Sequence, residues 1–104
     1  MEKNVFTHMF GDSPKIKVID FLMSEGFFFS VKEIAEGLEL SKPTVYKIIE
    51  ELLVEDLIKL SRTVGNTAMY SLNFKNKKIK MLREIEGVFI AEQTKLIIQA
   101  NKNV

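Results

Sequence analysis

The spacing of apolar residues changes twice along this chain, and this change limits the possible folds more than any other feature. Up to about residue 54 they recur at helical spacing, and over residues 57–73 (LIKLSRTVGNTAMYSLN) they alternate instead. Helical spacing then returns from about Asn76 to about Gln99. A Gly-Asn pair in the alternating stretch is typical of a tight turn. The pattern predicts short helices, then a β-hairpin with strands at 57–61 and 69–73, then one long helix.

Two short helices with clear start signals are predicted first. The Ser-Pro pair at residues 13–14 supplies an N-cap and a favoured first helical residue, and Gly26 is expected to end this helix. Ser30 and Glu33 have the spacing of a capping box at the start of the second helix. The phenylalanines at 27–29 predict a brief extended segment packed on the core, with one exposed phenylalanine at an interface as the alternative.

A third helix is predicted for residues 42–54, with Ser41 as its N-cap and Pro43 in its first turn, where proline breaks no intrahelical hydrogen bond. Its apolar residues recur at helical spacing and are expected to face the first two helices: Val45, Ile48, Ile49 and Leu52. Two short helices joined by a tight turn form a helix-turn-helix. The element order predicts an α+β, mainly α, winged helix-turn-helix: a three-helix core, a β-hairpin wing at 58–73 with its tip near 64–67, and a long C-terminal helix.

The first turns of the third helix present polar side chains opposite its apolar stripe. The DNA major groove, about 12 Å wide, admits one α-helix, and lysine, threonine and tyrosine side chains contact bases or phosphates there. The candidate DNA-binding residues of this recognition helix are Ser41, Lys42, Pro43, Thr44, Tyr46 and Lys47. A solvated helix face is the alternative. Glu50 lies on the same outward face and would repel a nearby phosphate.

The hairpin and the segment after it carry further candidate contacts. One arginine among small polar residues suits a minor-groove or phosphate contact, and the candidate wing residues are Arg62, Thr63, Asn66 and Thr67. Five cations follow at the start of the last helix, where the helix dipole disfavours positive charge, so an anionic partner is indicated. These candidate phosphate contacts are Lys75, Lys77, Lys78, Lys80 and Arg83. An ordinary turn and a solubilising patch are the alternatives.

The net charge of +1 conceals a polarised distribution. Residues 1–41 carry four lysines and seven acids, and residues 84–104 carry two lysines and three acids, giving −3 and −1. Residues 42–83 carry nine cations and four acids, giving +5. A basic middle between acidic ends suits a face that meets an anionic partner.

Other classes of function lack their sequence signals. The chain has no cysteine and a single histidine, His8, so neither a metal nor another cofactor is expected. No apolar run approaches the roughly 20 residues that span a bilayer, and the first residues lack the layout of a signal peptide, so we expect a cytoplasmic protein with no membrane partner. The sequence shows no nucleophile–base pair, phosphate-binding loop or paired carboxylates, so we do not expect an enzyme.

The long terminal helix is expected to extend past the body of the protein. About 24 residues at about 1.5 Å each give about 36 Å, whereas a body of about 75 residues has a radius of only about 11 Å. The far end therefore needs a partner, most simply a second copy. The predicted dimer-interface residues are Leu82, Ile85, Phe89, Leu96 and Ile97.

The segment over residues 10–74 resembles the small winged-helix transcriptional regulators abundant in archaea, in the broad MarR/ArsR-like group. The matching marks are I-A-x-x-L in the second helix, SKPTVYK at 41–47, E-L-L-x-x-x-L-I at 51–58, the Gly-Asn turn, and Y-x-L-N at 70–73. The resemblance implies that the third helix reads DNA, that the hairpin is a wing with contacts at Arg62 and Asn66, and that the terminal helix dimerises. The wing departs from many relatives in having few basic residues, and no cysteine–histidine set matches the metal-sensing branch.

We therefore predict a winged helix-turn-helix DNA-binding domain at residues 1–74 and a dimerisation helix at residues 75–104. The expected function is sequence-specific binding of double-stranded DNA by a homodimeric transcriptional regulator. A winged-helix module that binds another protein without specific DNA binding is the alternative.

Overall fold

Five helices and one hairpin make up the part of the chain that the computed structural model describes, residues 5–25 and 27–102. In chain order the elements are α1 (Val5–Phe10), α2 (Pro14–Glu25), α3 (Val31–Leu38), α4 (Lys42–Val54), β1 (Ile58–Val64), β2 (Thr67–Leu72) and α5 (Lys77–Lys102). The three predicted short helices are α2, α3 and α4, and the long terminal helix is α5. The predicted fold class, a winged helix-turn-helix with a long C-terminal helix, is confirmed.

Side-chain caps fix where the helices of the helix-turn-helix begin. Ser30 Oγ accepts the backbone N–H of Glu33 at 3.1 Å, and Glu33 Oε1 accepts the backbone N–H of Ser30 at 2.9 Å, so the predicted capping box is present. Ser41 Oγ accepts the backbone N–H of Thr44 at 3.3 Å at the start of α4. Gly26, predicted to end α2, lies outside the described residues.

The core lies where α2, α3 and α4 meet the hairpin and the first turns of α5. It includes Leu22, Ile34, Val45, Leu52, Ile58, Leu72 and Ile79, all fully buried. Ile79 belongs to α5, so the start of the terminal helix shares one core with the elements before it. Apolar burial of this kind provides most of the favourable free energy of folding.

Helix α1 is an element that the sequence did not predict. Val5 and Phe6 are buried in the core, and the carboxylate of Asp20 on α2 accepts hydrogen bonds from the first turn of α1. Six residues are too few for a periodic apolar pattern, and a helix this short is unstable alone. A contact between helices, which no local sequence pattern reports, therefore holds it in place.

The hairpin strands reach closer to the turn than predicted, so that β1 ends at Val64 and β2 begins at Thr67. Gly65 at the tip has a φ of +60°, which a glycine adopts without strain. The strands are antiparallel, with an irregularity between Leu60 and Arg62 that leaves Ser61 without a partner of its own. The predicted hairpin and its tip are confirmed.

The three consecutive phenylalanines occupy different environments. Phe29 forms an isolated bridge to Tyr70 on β2, and its ring contacts Phe21 edge-on at 4.9 Å between centroids. Phe27 is 72% exposed. The expected extended segment is present, and it packs the partly buried Phe29 against the core while leaving Phe27 at the surface.

Helix α5 has 26 residues and is about 39 Å long at about 1.5 Å per residue. Leu82, Ile85 and Phe89 pack partly against the core of the same chain. Leu96 and Ile97 are 64% and 52% exposed, so the second half of α5 has apolar side chains that no other described element covers. No helix in the described part of the chain is both long and apolar enough to cross a membrane.

Candidate nucleic-acid interface

Helix α4 buries one face and presents the other to solvent. Val45, Ile48, Ile49 and Leu52 are buried, as their spacing predicts. Of the predicted recognition-helix residues, Lys42, Pro43, Tyr46 and Lys47 are exposed and Thr44 is half-buried. The polar face of the first two turns is therefore available to a partner.

Ser41 and Thr44 are already engaged with each other. Their hydroxyl oxygens lie 2.7 Å apart, and Ser41 Oγ also accepts the N–H of Thr44. A hydroxyl offers one donor and two acceptor positions, so beside these bonds Ser41 keeps capacity for one further bond and Thr44 for two. Ser41 thus has a structural role as the helix cap, and its bond to Thr44 orients the Thr44 hydroxyl.

A groove of about 340 Å³ joins the start of α4 to the hairpin tip and the start of α3. It is lined by Ser30, Val31, Lys32, Lys42, Tyr46, Asn66, Thr67, Ala68 and Tyr70. The structure therefore brings together two predicted recognition-helix residues, Lys42 and Tyr46, and two predicted wing residues, Asn66 and Thr67. We call this surface the helix–wing groove.

Lys32 is a groove residue that the sequence analysis missed. It is exposed on the first turn of α3, beside the capping serine Ser30. It follows Val31 of the apolar stripe directly, at the start of the first helix of the helix-turn-helix. That position could have indicated a cation near the recognition helix. With Lys42 it gives the helix–wing groove two positive charges and no acidic lining residue.

The acidic residues of α4 lie at its other end. Glu50, Glu51 and Glu55 line a shallow hollow around Val54, and none of them lines the helix–wing groove. Lys15 Nζ lies 2.8 Å from Glu55 Oε1, and this hydrogen bond holds the pKa of Glu55 below its usual range. Glu50 is eight residues beyond Lys42, about 12 Å along the helix.

Arg62 and Thr63 take no part in the helix–wing groove. Both are exposed on β1, three and two residues before Gly65. The guanidinium carbon of Arg62 lies 4.8 Å from the centroid of the Phe28 ring, a cation–π distance. The predicted wing residues thus divide between the groove and another part of the hairpin.

The predicted basic patch is separated from the helix–wing groove. Lys75, Lys77, Lys78 and Lys80 are exposed, and Arg83 stacks on Phe74 at 4.9 Å. Asn73 and Asn76 both donate to the backbone carbonyl of Asp56, at 3.1 and 3.0 Å, which fixes the start of α5 beside the end of α4. Lys78 is near enough to Glu55 to contribute to its lowered pKa. Helix α4, about 20 Å long at 13 residues, therefore lies between the patch and the groove.

An apolar groove of about 410 Å³ runs between α1 and α5. It is lined by Met9, Met81, Glu84, Ile85, Val88, Phe89 and Glu92. Two of the predicted dimer-interface residues, Ile85 and Phe89, lie in it. The ring of His8 packs against Phe89 at 5.9 Å, and the described residues include no group of three or more histidines or acids arranged to hold a metal ion.

No protein-family model matches this sequence, and no curated protein is significantly similar to it. Solved structures do share its fold. HlyU from Vibrio cholerae N16961 is 22% identical, with a TM-score of 0.60 over 86% of this chain and 97% of that chain. MepR, a transcription regulator of the Staphylococcus aureus multidrug efflux pump MepA, is 17% identical, with a TM-score of 0.61 over 93% of this chain and 72% of that chain.

A third similar structure is a homodimeric winged helix-turn-helix DNA-binding domain, Mb0332 from Mycobacterium bovis, described as a possible ArsR-family transcriptional regulator. It is 18% identical, with a TM-score of 0.57 over 77% of this chain and 69% of that chain. At these identities the similarity concerns the fold. The chain has the winged helix-turn-helix fold that these three bacterial proteins share.

Proposed function

We propose that this protein is a homodimeric transcriptional regulator that binds double-stranded DNA in a sequence-specific manner. The observation that carries the proposal is the helix–wing groove, which joins the exposed start of α4 to the hairpin tip and has two lysines and no acid in its lining. The similar structures named above include a DNA-binding domain and a transcription regulator, which supports the proposal. Such a protein would act in the cytoplasm, where it meets DNA.

In this proposal the first turns of α4 enter the major groove. Lys42 and Lys47 donate to guanine or to phosphate, and the ring of Tyr46 meets a thymine methyl group. Thr44, oriented by its bond to Ser41, offers its hydroxyl to a base edge or a phosphate. Asn66 and Thr67 follow the adjacent backbone from the hairpin tip. Glu50 lies about two turns beyond Lys42, far from a phosphate at the start of α4, but less than one turn beyond Lys47.

Dimerisation is assigned to the exposed apolar face of α5. Leu96 and Ile97 have no partner surface in the described chain, and the α1–α5 groove continues the apolar surface toward Phe89. A two-fold dimer would place two α4 helices about 34 Å apart, one helical turn of DNA, so the expected target is a pseudo-palindrome. The similar domain from Mycobacterium bovis is homodimeric, which supports this arrangement.

The proposal is tested by measuring affinity for a duplex selected from a randomised pool, at several salt concentrations. Binding should weaken steeply with salt, with log K falling by about 0.9 for each phosphate contacted. Lys47→Glu should abolish binding, whereas Lys95→Glu, the same charge change on the exposed far half of α5, should not. Affinity that hardly changes with salt, or equal effects of the two variants, would refute DNA binding through α4.

A protein-binding module is the second candidate, because Phe27 and Val54 are 72% and 88% exposed at sites outside the helix–wing groove. Apolar side chains this exposed fit a protein partner better than DNA. A stoichiometric protein partner, together with no shift of duplex DNA even at low salt, would select this function.

A further inference from the structure

The irregularity in β1 determines which side of the hairpin Arg62 occupies. Leu60 pairs with Tyr70, and Arg62 pairs with Met69 because Ser61 has no partner. In a regular ladder Arg62 would pair with Ala68, which lines the helix–wing groove. Since successive residues of a strand face opposite sides, the bulge moves Arg62 to the opposite face of the hairpin, which Met69 shares.

Phe28 reaches the same outer face from the other side of β2. Phe29 and Tyr70 exchange two backbone hydrogen bonds of 2.8 Å, so residues 27–29 run along the free edge of β2. The ring of Phe29 packs toward the core, and the next residue back, Phe28, faces the opposite side. There the half-buried Phe28 ring lies 4.8 Å from the Arg62 guanidinium carbon.

We propose that Phe28 is a positioning residue that holds Arg62 ready for a DNA phosphate, so that the stem of the wing carries its positive charge. The proposal rests on the DNA-binding function proposed above. A guanidinium held over a ring by its central carbon keeps N–H donors that point away from the ring, and these match the oxygens of a phosphate. An arginine already held by the ring loses less side-chain freedom when it binds than an unheld one does.

The shortage of charge at the hairpin tip makes this arrangement useful. The tip residues Gly65, Asn66 and Thr67 carry no charge, and Arg62 is the basic residue of the hairpin nearest to them. Phe28 thus connects the segment before α3 to the wing, and its ring would determine how tightly Arg62 binds a phosphate.

A double-mutant cycle on DNA binding tests the proposal, with Phe28→Leu, Arg62→Gln, the double variant and Phe28→Tyr. Leucine keeps an apolar contact but has no π face, and tyrosine keeps the face. Arg62→Gln should weaken binding and lower the slope of log K against log salt by about 1, because one phosphate contact is lost. Phe28→Leu should weaken binding about two- to fivefold, the range expected for an exposed cation–π contact, and leave the slope unchanged.

The decisive result is the effect of Phe28→Leu in the Arg62→Gln background. There it should leave affinity unchanged, and Phe28→Tyr should bind as the wild type does. Equal weakening by Phe28→Leu with and without Arg62, or no effect of Phe28→Leu on the wild type, would overturn the proposal. Thermal unfolding of each variant establishes that the fold is retained. If the wild type fails to bind duplex DNA, the proposed function fails; if it binds with steep salt dependence and Arg62→Gln binds equally well, only this inference fails.

Discussion

The carboxylate of Asp20 accepts two hydrogen bonds from Thr7, one from its backbone N–H and one from its hydroxyl, each 2.6 Å long. Asp20 also accepts the backbone N–H of Phe6 at 3.0 Å and is only 1% exposed. These backbone groups belong to the first turn of α1, where N–H groups have no partner within the helix. One buried side chain on α2 therefore fixes α1, and with it one wall of the apolar α1–α5 groove.

Removal of the Asp20 carboxylate should destabilise the protein. Asp20→Ala leaves the buried N–H of Phe6 and the partly buried N–H of Thr7 without their acceptor, so we expect a loss of about 2–3 kcal/mol in the free energy of unfolding. Urea denaturation measures this loss, and hydrogen exchange should show the two amides losing protection. Asp12→Ala removes an exposed acid just before α2 and should change stability by less than about 0.5 kcal/mol. Equal effects of the two variants would contradict the role of Asp20.

Local signals in the sequence predicted α2, α3, α4 and the hairpin because caps, apolar spacing and the Gly-Asn turn act over a few residues. Helix α1 depends on Asp20, which is 13 residues beyond Thr7, and no local pattern reports such a contact. The bulge at Ser61 could not be predicted either, because the sequence around it fits both the regular pairing of Arg62 with Ala68 and the observed pairing with Met69. It is this bulge that pairs Arg62 with Met69 and so moves it to the face of the hairpin opposite to the helix–wing groove.

The candidate site was predicted residue by residue but not as one surface. Lys42, Tyr46, Asn66 and Thr67 meet in the helix–wing groove, whereas the basic patch lies beyond the far end of α4. Net charge over residues 42–83 could not distinguish these places, because a helix of about 20 Å lies between them. Spatial grouping of charges depends on how the elements pack.

Glu86 on α5 should make stability depend on pH. Its burial, and to a smaller extent the negative charge of Asp20, raise its pKa above the ordinary value of a glutamate, while Arg83 partly offsets the rise. A carboxyl group whose pKa is raised in the folded state stabilises the fold while it is protonated. This stabilisation is complete below the pKa of the unfolded state and is lost as the pH rises through the pKa of the folded state. Glu86→Gln should therefore be more stable than the wild type at pH 7, by a small amount because the group is partly solvated.

Urea denaturation from about pH 4 to pH 8 tests this prediction, since the advantage of Glu86→Gln should shrink as the pH falls toward the pKa of an unfolded glutamate, about 4.3. Glu84→Gln removes the same charge from an exposed position two residues earlier and should change stability by less than about 0.5 kcal/mol. A constant difference between Glu86→Gln and the wild type across this pH range would show that burial does not shift Glu86.

The exposed apolar face of α5 should control the oligomeric state. Ile97→Glu places a charge among side chains that a second copy would bury, so the dimer should dissociate about tenfold more readily or be lost. Light scattering measures the mass, and DNA affinity should fall with it, because a monomer reads one half-site. Val54→Glu changes an apolar residue on α4 that is even more exposed, 88% against 52% for Ile97, and should stay dimeric. A dimer that survives Ile97→Glu would place the interface elsewhere.

Lys32 and Tyr46 line the same groove but should affect DNA binding differently. Lys32 is an exposed charge on the α3 side of the groove, and we expect it to meet a phosphate, so Lys32→Ala should weaken binding to selected and scrambled duplexes alike and reduce the salt slope by about 1. Tyr46→Ala should instead reduce the preference for the selected duplex, by about 1–3 kcal/mol if the ring meets a base edge. Fluorescence anisotropy with both duplexes at several salt concentrations measures both effects, and Lys95→Ala is the matched lysine control on α5. Weakening by Lys32→Ala that is confined to the selected duplex would instead make Lys32 a base contact.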